Sequence, residues 1–205
     1  MVVGIIGAGA SGMAAALWAS QEPDVQVILM ERQARVGRKL QATGNGRCNL
    51  SNEKFHISHY HGENPIFTEQ VFSQFGVEDT LNWFSSLGLC TVTEQSGKVY
   101  PYSDQANSVV DVLRLALDKE NITLRLGFEA EKIKYSPNGF TVESKEEIVT
   151  CDRLIVACGG LAGSKLGGTM AGYKLLSKLG HRSTKLRPNL VQIQSRWQAL
   201  SSLKG

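Results

Sequence analysis

Apolar residues fall in short unbroken runs near the start of the chain and in spaced positions later, and the two patterns predict different elements. Val2–Ile6 is a short β-type run, and "VQVILMER" carries a second that ends at Glu31. Between them an alanine-rich stretch, "GMAAALWAS", predicts a helix. "PIFTEQVFSQF" and "VEDTLNWFSSLG" predict two short helices within 65–88, the second stopped by Gly88. "LCTVTE" and "KVYPY" alternate around Ser96-Gly97, as the arms of a hairpin do. Ser103 is the expected N-cap of a helix that reaches about Lys119 and gathers Val109, Val110, Leu113 and Leu117 on one face. "ITLRLGF" predicts a strand of the central sheet. "EAEKIKYS", "GFTVES" and "EIVTC", with turns at Pro137–Gly139 and Lys145–Glu147, predict a small antiparallel layer, and "RLIVACGG" predicts a buried strand.

The first strand passes into the first helix through Gly7-x-Gly9-x-x-Gly12, and eighteen residues then separate Gly12 from Glu31. A lone spacing of this kind is weak, but between a strand and a helix it has a mechanical reading. Gly7 permits the tight turn, Gly9 lets backbone approach a pyrophosphate, and Gly12 allows close helix–strand packing. The helix N-terminus offers unpaired N–H groups and a partial positive charge to phosphates. Glu31 is placed to accept hydrogen bonds from a ribose diol. Arg32 raises the alternative of a 2′-phosphate, which a glutamate just before it would repel.

Composition narrows the partners more than the fold. With 205 residues, 42% of them hydrophobic, and a net charge of +3, neither nucleic acid nor an anionic membrane is demanded. The distribution is more informative. From Arg32 to Asn52 there are five basic residues (Arg32, Arg35, Arg38, Lys39, Arg47) and no acidic one, which favours a phosphate-bearing ligand. The four cysteines, Cys48, Cys90, Cys151 and Cys158, show no zinc spacing, so reduced thiols and a cytoplasmic location are expected. Residues 1–21 carry no side-chain charge, yet Gly4, Gly7, Gly9 and Gly12 weaken a spanning helix and no basic segment precedes the apolar run.

"ATGNGRCNLSN" at 42–52 is a second glycine-rich loop, and an NAD-binding strand–helix–strand unit has no use for it. A flavin dinucleotide does, because it lies extended and needs a second wall with N–H donors and cations such as Lys39 and Arg47. "GRKLQATGNGRCNLSN" resembles the hallmark segment of a bacterial flavoprotein family that includes aminoacetone oxidases and NAD(P)H-dependent 3-oxo-Δ4-steroid reductases. "GKVYPYSDQANSVVDVL", "RLIVACGG" (with Cys158 in place of the usual threonine) and "GYKLLSKLGHRSTKLRPNLVQI" are similar to later segments of the same family. The chain departs from that family at "LGGTMAGY", where Ala171 replaces an aspartate, so no role for that carboxylate is carried over. Family members also continue past "RPNLVQI" into an inserted domain and return to finish the flavin site.

The resemblance implies an α/β, Rossmann-like FAD-binding domain with a central parallel sheet and a small antiparallel β layer. It covers 1–190, with a helical segment at about 65–120, and 191–205 would begin a further domain absent from this chain. The expected cofactor contacts are Gly7, Gly9, Ala10, Ser11 and Gly12 in the first loop, and Glu31 and Arg32 after the second strand. Lys39, Leu40, Thr43, Gly44, Asn45, Gly46, Arg47, Cys48 and Asn49 follow in the second loop, then Ala130 and Ala157, Cys158, Gly159 and Gly160. Implied with them are FAD, NAD(P)H as electron donor and a small-molecule substrate, with an O2-using amine or aminoketone oxidase or a non-catalytic dinucleotide module as alternatives. No side-chain acid or base is identifiable. Self-association through surface left open by the missing part is also expected. Cys48 beside Arg47 raises a redox-thiol reading, since a cation lowers a thiol pKa, against the simpler one of a small residue where backbone meets cofactor. His56, His59 and His61 lack the carboxylate or cysteine partners of a metal site and read as a polar surface loop. His181 follows Gly180 at a helix end, and Tyr100 and Tyr102 read as core packing or as pocket lining.

Overall fold

A computed structural model describes residues 1–62 and 64–188. The chain runs β1 (Val2–Ile6), α1 (Ala10–Ala19), β2 (Gln26–Glu31), a 3-10 segment with a kink (Leu40–Gly46), β3 (Ser51–Asn52), α2 (Ile66–Phe72) and α3 (Val77–Ser86). It continues through β4 (Thr91–Thr93), β5 (Lys98–Pro101), α4 (Ala106–Ala116), β6 (Ile122–Leu126), β7 (Lys132–Ser136), β8 (Gly139–Glu143), β9 (Ile148–Cys151), β10 (Arg153–Val156) and α5 (Ala171–Lys178). No described helix is long and apolar enough to cross a membrane.

The central sheet has the order β10-β1-β2-β6, and every pair in it is parallel. Ile5 stands beside Leu29 and Ile155, and Leu29 beside Leu124. Because side chains alternate across a strand, the unbroken runs of β1 and β2 feed two cores. Ile5 and Leu29 join Met13 and Leu17 of α1 and Val109 and Leu113 of α4. Ile6 and Met30 face the other way, onto Ile133, Val142 and Val149 of the antiparallel β7-β8-β9 sheet and Leu175 of α5. Burial of each such side chain contributes about 1.5–3 kcal/mol. That face, rather than its uncapped N-terminus, holds α1 in place.

The expected hairpin, the 65–88 helices and the antiparallel layer are present. Three expectations change. The helix expected from Ser103 is capped by Gln105, because Asp104 adopts a left-handed φ of 57° between them. Ser103 instead lies outside the helix, where its Oγ accepts from Gln105 N (3.4 Å) and pairs with Ser108 Oγ (2.7 Å). β10 is not buried: it is the edge of the parallel sheet, its residues alternate between exposed and half-buried, and Ile155 is 39% exposed. The end of the family-like segment "RPNLVQI" and the further domain expected from 191 lie outside the described residues.

All four parallel strands end on one side, so Gly7, Arg32, Gly127 and Ala157 leave the sheet together. The third sheet, β3-β5-β4, carries the second glycine loop to the same side, through β3 and through Leu50 N donating to Val99 O at 2.8 Å. In an open parallel sheet this is where ligands sit.

Candidate functional site

A cavity of about 670 Å³ opens at that end of the sheet. Its floor is the β1–α1 loop, where three glycines meet three different demands. Gly7 has φ 102°, and a Cβ there would sit 2.6 Å from Ala157 O. Gly12 faces Gly7 O so closely that any Cβ would collide with it. Gly9 is different: its φ of −79° suits any residue, and a Cβ would meet nothing within 4 Å. Neither strain nor packing calls for glycine at position 9, and the space beside it opens into the cavity. Gly9 is also the N-cap of α1, with no side-chain cap and no acidic residue in the first turn, and Ala10 and Ser11 after it border the cavity.

Glu31 closes the next side. Its Oε2 accepts from Ala8 N (2.7 Å) and its Oε1 from Gln33 N (2.8 Å), so two backbone groups fix the carboxylate at the cavity edge. An ionised carboxylate has about four acceptor sites, leaving capacity for ligand hydroxyls. Gly37 N donates to Ala8 O at 2.9 Å and ties the following segment to the same loop. From that segment the cations reach across the cavity mouth. Arg32 Nη2 donates to Gly167 O (2.7 Å), Arg38 Nη2 to Lys165 O (3.4 Å) and Lys39 Nζ to Gly160 O (3.3 Å). Arg32 also stands 4.0 Å from Glu129.

The second glycine loop forms a wall, but only part of it borders the cavity. Thr43, Cys48 and Asn49 do, together with Leu40, whereas Gly44, Asn45, Gly46 and Arg47 do not. Four residues here have left-handed backbone: Gly44 (φ 56°), Asn45 (55°), Gly46 (86°) and Cys48 (59°). Cys48 N donates to Thr43 O (3.0 Å), Arg47 N to Gly44 O (3.1 Å) and Thr43 Oγ1 to Leu40 O (2.7 Å). The Asn49 amide, turned to meet its acceptors, donates to Ser51 O (2.8 Å) and Val99 O (3.2 Å). Arg47 points away from the cavity. Its guanidinium lies 3.9 Å over the Tyr100 ring, donates from Nη2 to Glu94 Oε1 (2.8 Å) and pairs through Nε with Asp104. Glu94 first, then Asp104, hold its pKa above the ordinary value.

Arg47 is therefore not beside the Cys48 thiol as a charge partner. Burial pushes that thiol up, only partly opposed by the Thr43 hydroxyl, so the simpler reading of Cys48 as a small buried residue holds over the thiolate one. Burial, with Glu31 adding to it, also raises Cys158, whose Sγ lies 3.7 Å from Ile6 O. Ala157, Cys158 and Gly159 border the cavity on the β10 side and Ala130 on the β6 side. Gly160 does not border it, although its carbonyl receives Lys39, and Gly12 is a packing residue.

Sequence reading missed one wall altogether. Trp18 on α1, Phe75 before α3, and Trp83 and Phe84 on α3 line the cavity, with Trp18 and Phe75 edge to face at 5.7 Å. Ala10, Ala14 and Trp18 recur every fourth residue on one face of α1, a signal present in the sequence but readable as core. Arg35 and Arg38 of the basic stretch also line the cavity. Tyr100 is buried beneath Arg47, and Tyr102 is 73% exposed. His56 Nδ1 accepts from Ser58 N (3.2 Å), and among the described residues no group of three or more His, Cys, Asp or Glu side chains is arranged to hold a metal ion.

These residues fit an extended dinucleotide: an open glycine cradle at a helix N-terminus for the phosphates, and a fixed carboxylate for a ribose. Comparison with known proteins identifies the family and the fold. Residues 1–192 match the HI0933-like protein Rossmann domain. The chain is 41% identical over 204 residues to a 3-dehydro-bile acid delta(4,6)-reductase of Clostridium scindens, covering 99% of this chain and 50% of the relative. It is 32% identical over 187 residues to a ribosomal RNA dihydrouridine synthase of Escherichia coli, covering 91% and 46%. The chain thus spans about half the length of the curated relatives it matches. Two solved structures share the fold. The open conformation of a flavocytochrome c3 fumarate reductase matches with a TM-score of 0.52 at 19% identity, covering 78% of this chain and 33% of that one. THI4 of Thermovibrio ammonificans matches with a TM-score of 0.51 at 14% identity, covering 86% and 59%. The chain belongs to the HI0933-like family, and residues 1–192 are its Rossmann domain.

Proposed function

We propose that this chain binds FAD and forms the cofactor-holding part of a flavin-dependent oxidoreductase, one that reduces a small organic substrate with electrons from NAD(P)H. The observation that carries the reading is Gly9, a glycine that neither conformation nor packing requires, at an uncapped helix N-terminus facing the cavity. The N–H groups of Ala10 and Ser11 receive the pyrophosphate. Glu31, already oriented by Ala8 N and Gln33 N, accepts from the adenosine ribose, and Ala130 borders the adenine side. Lys39 and Arg32, supported by Arg35 and Arg38, balance the phosphate charge. Leu40, Thr43, Cys48 and Asn49 form one wall along the rest of the cofactor, and Ala157, Cys158 and Gly159 the other. The bound flavin supplies the hydride chemistry, while the protein's part is binding, orientation and exclusion of water. The reductase direction is supported by the Clostridium scindens relative, which is named a reductase.

Titrating the purified protein with FAD, FMN and NAD, followed by flavin fluorescence or equilibrium dialysis, tests the first half of the reading. Saturable FAD binding of one per chain, tighter than FMN, is expected; no saturable binding refutes it. Anaerobic bleaching of the flavin by NADPH tests the second half. Bleaching by an amine instead would make the protein an oxidase.

A further inference from the structure

The second glycine loop turns through four left-handed residues. Gly44, Asn45 and Gly46 are of types that adopt that region, but Cys48, at φ 59°, is not. Hydrogen bonds inside the loop and from Asn49 to the β5 side define its turns, and one further tie reaches out of it. Arg47 is the side chain that reaches out. Three segments meet at its guanidinium: Glu94 just after β4, Tyr100 in β5, and Asp104 on the approach to α4. Asp104 is itself left-handed, so the same contact joins two tight turns, the glycine loop and the approach to α4. On the loop side, Arg47 directly precedes Cys48, which is buried and borders the cavity. None of Arg47, Glu94, Tyr100 and Asp104 borders it.

We propose that Arg47 is a positioning residue: caged by Glu94, Asp104 and Tyr100, it holds the Thr43–Asn49 wall of the groove in its binding shape and does not itself contact the cofactor phosphates. Arginine suits the position because it offers two N–H edges to two different carboxylates and a flat face to a ring at the same time. Lysine, a single point charge, does not reproduce this. The inference rests on the FAD reading for its role in function.

The two roles predict opposite signs. A phosphate-binding Arg47 would gain from the loss of nearby carboxylates, since each repels an anionic cofactor. A positioning Arg47 would lose its anchor. The test measures FAD affinity in the whole protein for Glu94→Gln, Asp104→Asn, Arg47→Lys and Arg47→Ala, alongside the alkylation rate of Cys48 read by peptide mass spectrometry. We expect all four to weaken FAD binding by about five- to tenfold, less than the loss of a buried charged hydrogen bond because the cage is partly exposed, although the first two remove negative charge. Cys48 alkylation should quicken in the same variants at a temperature where their circular dichroism is unchanged. Unchanged or tighter FAD binding in Glu94→Gln and Asp104→Asn, with Arg47→Lys close to wild type, overturns the proposal. If wild type binds no FAD, the FAD reading fails, and Cys48 alkylation still decides the positioning role.

Discussion

Gly9 and Gly12 make opposite demands of one loop, and single methyl groups separate them. In Gly9→Ala the new Cβ enters open space, so stability should fall by less than about 1 kcal/mol, the scale of an altered N-cap. FAD affinity should fall by at least about tenfold, or 1.4 kcal/mol, because the methyl occupies the phosphate approach. In Gly12→Ala the Cβ meets Gly7 O, and overpacking of about 1–3 kcal/mol or more should appear in chemical denaturation whether or not cofactor is added. Equal stability losses in the two variants would show that position 9 is a packing site after all. Glu31→Gln keeps the shape and removes the charge, and should weaken FAD binding by about 1–3 kcal/mol in the same titration. At this scale the turn at Gly7 and the close packing of Gly12 on Gly7 O were legible because both are set within the loop, whereas the approach of Ala157 O to Gly7 was not. The direction of Arg47 was not, because its partners Glu94 and Asp104 lie 47 and 57 positions away.

Elements were legible where one period dominates. The β1 and β2 runs, the hydrophobic face of α4 and the β7-β8-β9 meander all formed where their spacing placed them, since each buries its apolar side locally. β10 misled because an apolar run does not say whether a second neighbour will cover it, and here it is an edge. The basic stretch after β2 was legible as positive charge but not as a set of contacts. Arg32, Arg38 and Lys39 donate to carbonyls 121 to 135 positions downstream. They pin the glycine-rich segment after β10, in which Gly159, Gly163 and Gly167 have positive φ, across the cavity mouth. Lys165 in that segment is exposed and offers a tryptic site. Arg32→Gln and Lys39→Gln should each speed cleavage after Lys165 severalfold without lowering the melting temperature. Unchanged cleavage would mean that the segment's own turns, such as Gly168 N to Gly163 O at 3.1 Å, hold it alone.

Across the whole molecule, the glycine loop between β1 and α1 was readable and the aromatic wall was not, for a physical reason. The loop is built within one strand–helix–strand unit, whereas the wall needs α1 brought against α3 by tertiary packing. The cysteines carry the same lesson into stability. Nothing in their spacing marked them as buried, yet Cys48, Cys151 and Cys158 all have pKa values raised chiefly by burial, Cys158 further by Glu31 and Cys151 by Asp152. Cys48 belongs to the core under α1 and α4, and Cys158 packs against the core on the opposite face of the sheet. Cys151 Sγ fills the space beside Gly4, where a Cβ would stand 2.7 Å from it. A thiol whose folded pKa lies above its unfolded one binds its proton more tightly in the folded state. Its contribution to stability is complete below the unfolded value of about 8.5 and is lost as pH rises through the folded value. Each shifted thiol can add up to about 1.4 kcal/mol of loss per pH unit in that window, and less where it is only partly buried. Denaturant unfolding under reducing conditions should therefore give a stability that changes little from these thiols below about pH 8 and declines above about pH 8.5. The variant carrying Cys48→Ala, Cys151→Ala and Cys158→Ala should start less stable, because small cavities are opened, but decline less steeply over the same window. Parallel curves for the two proteins would show that the thiols ionise alike in the folded and unfolded chain, and that the alkaline loss comes from other groups.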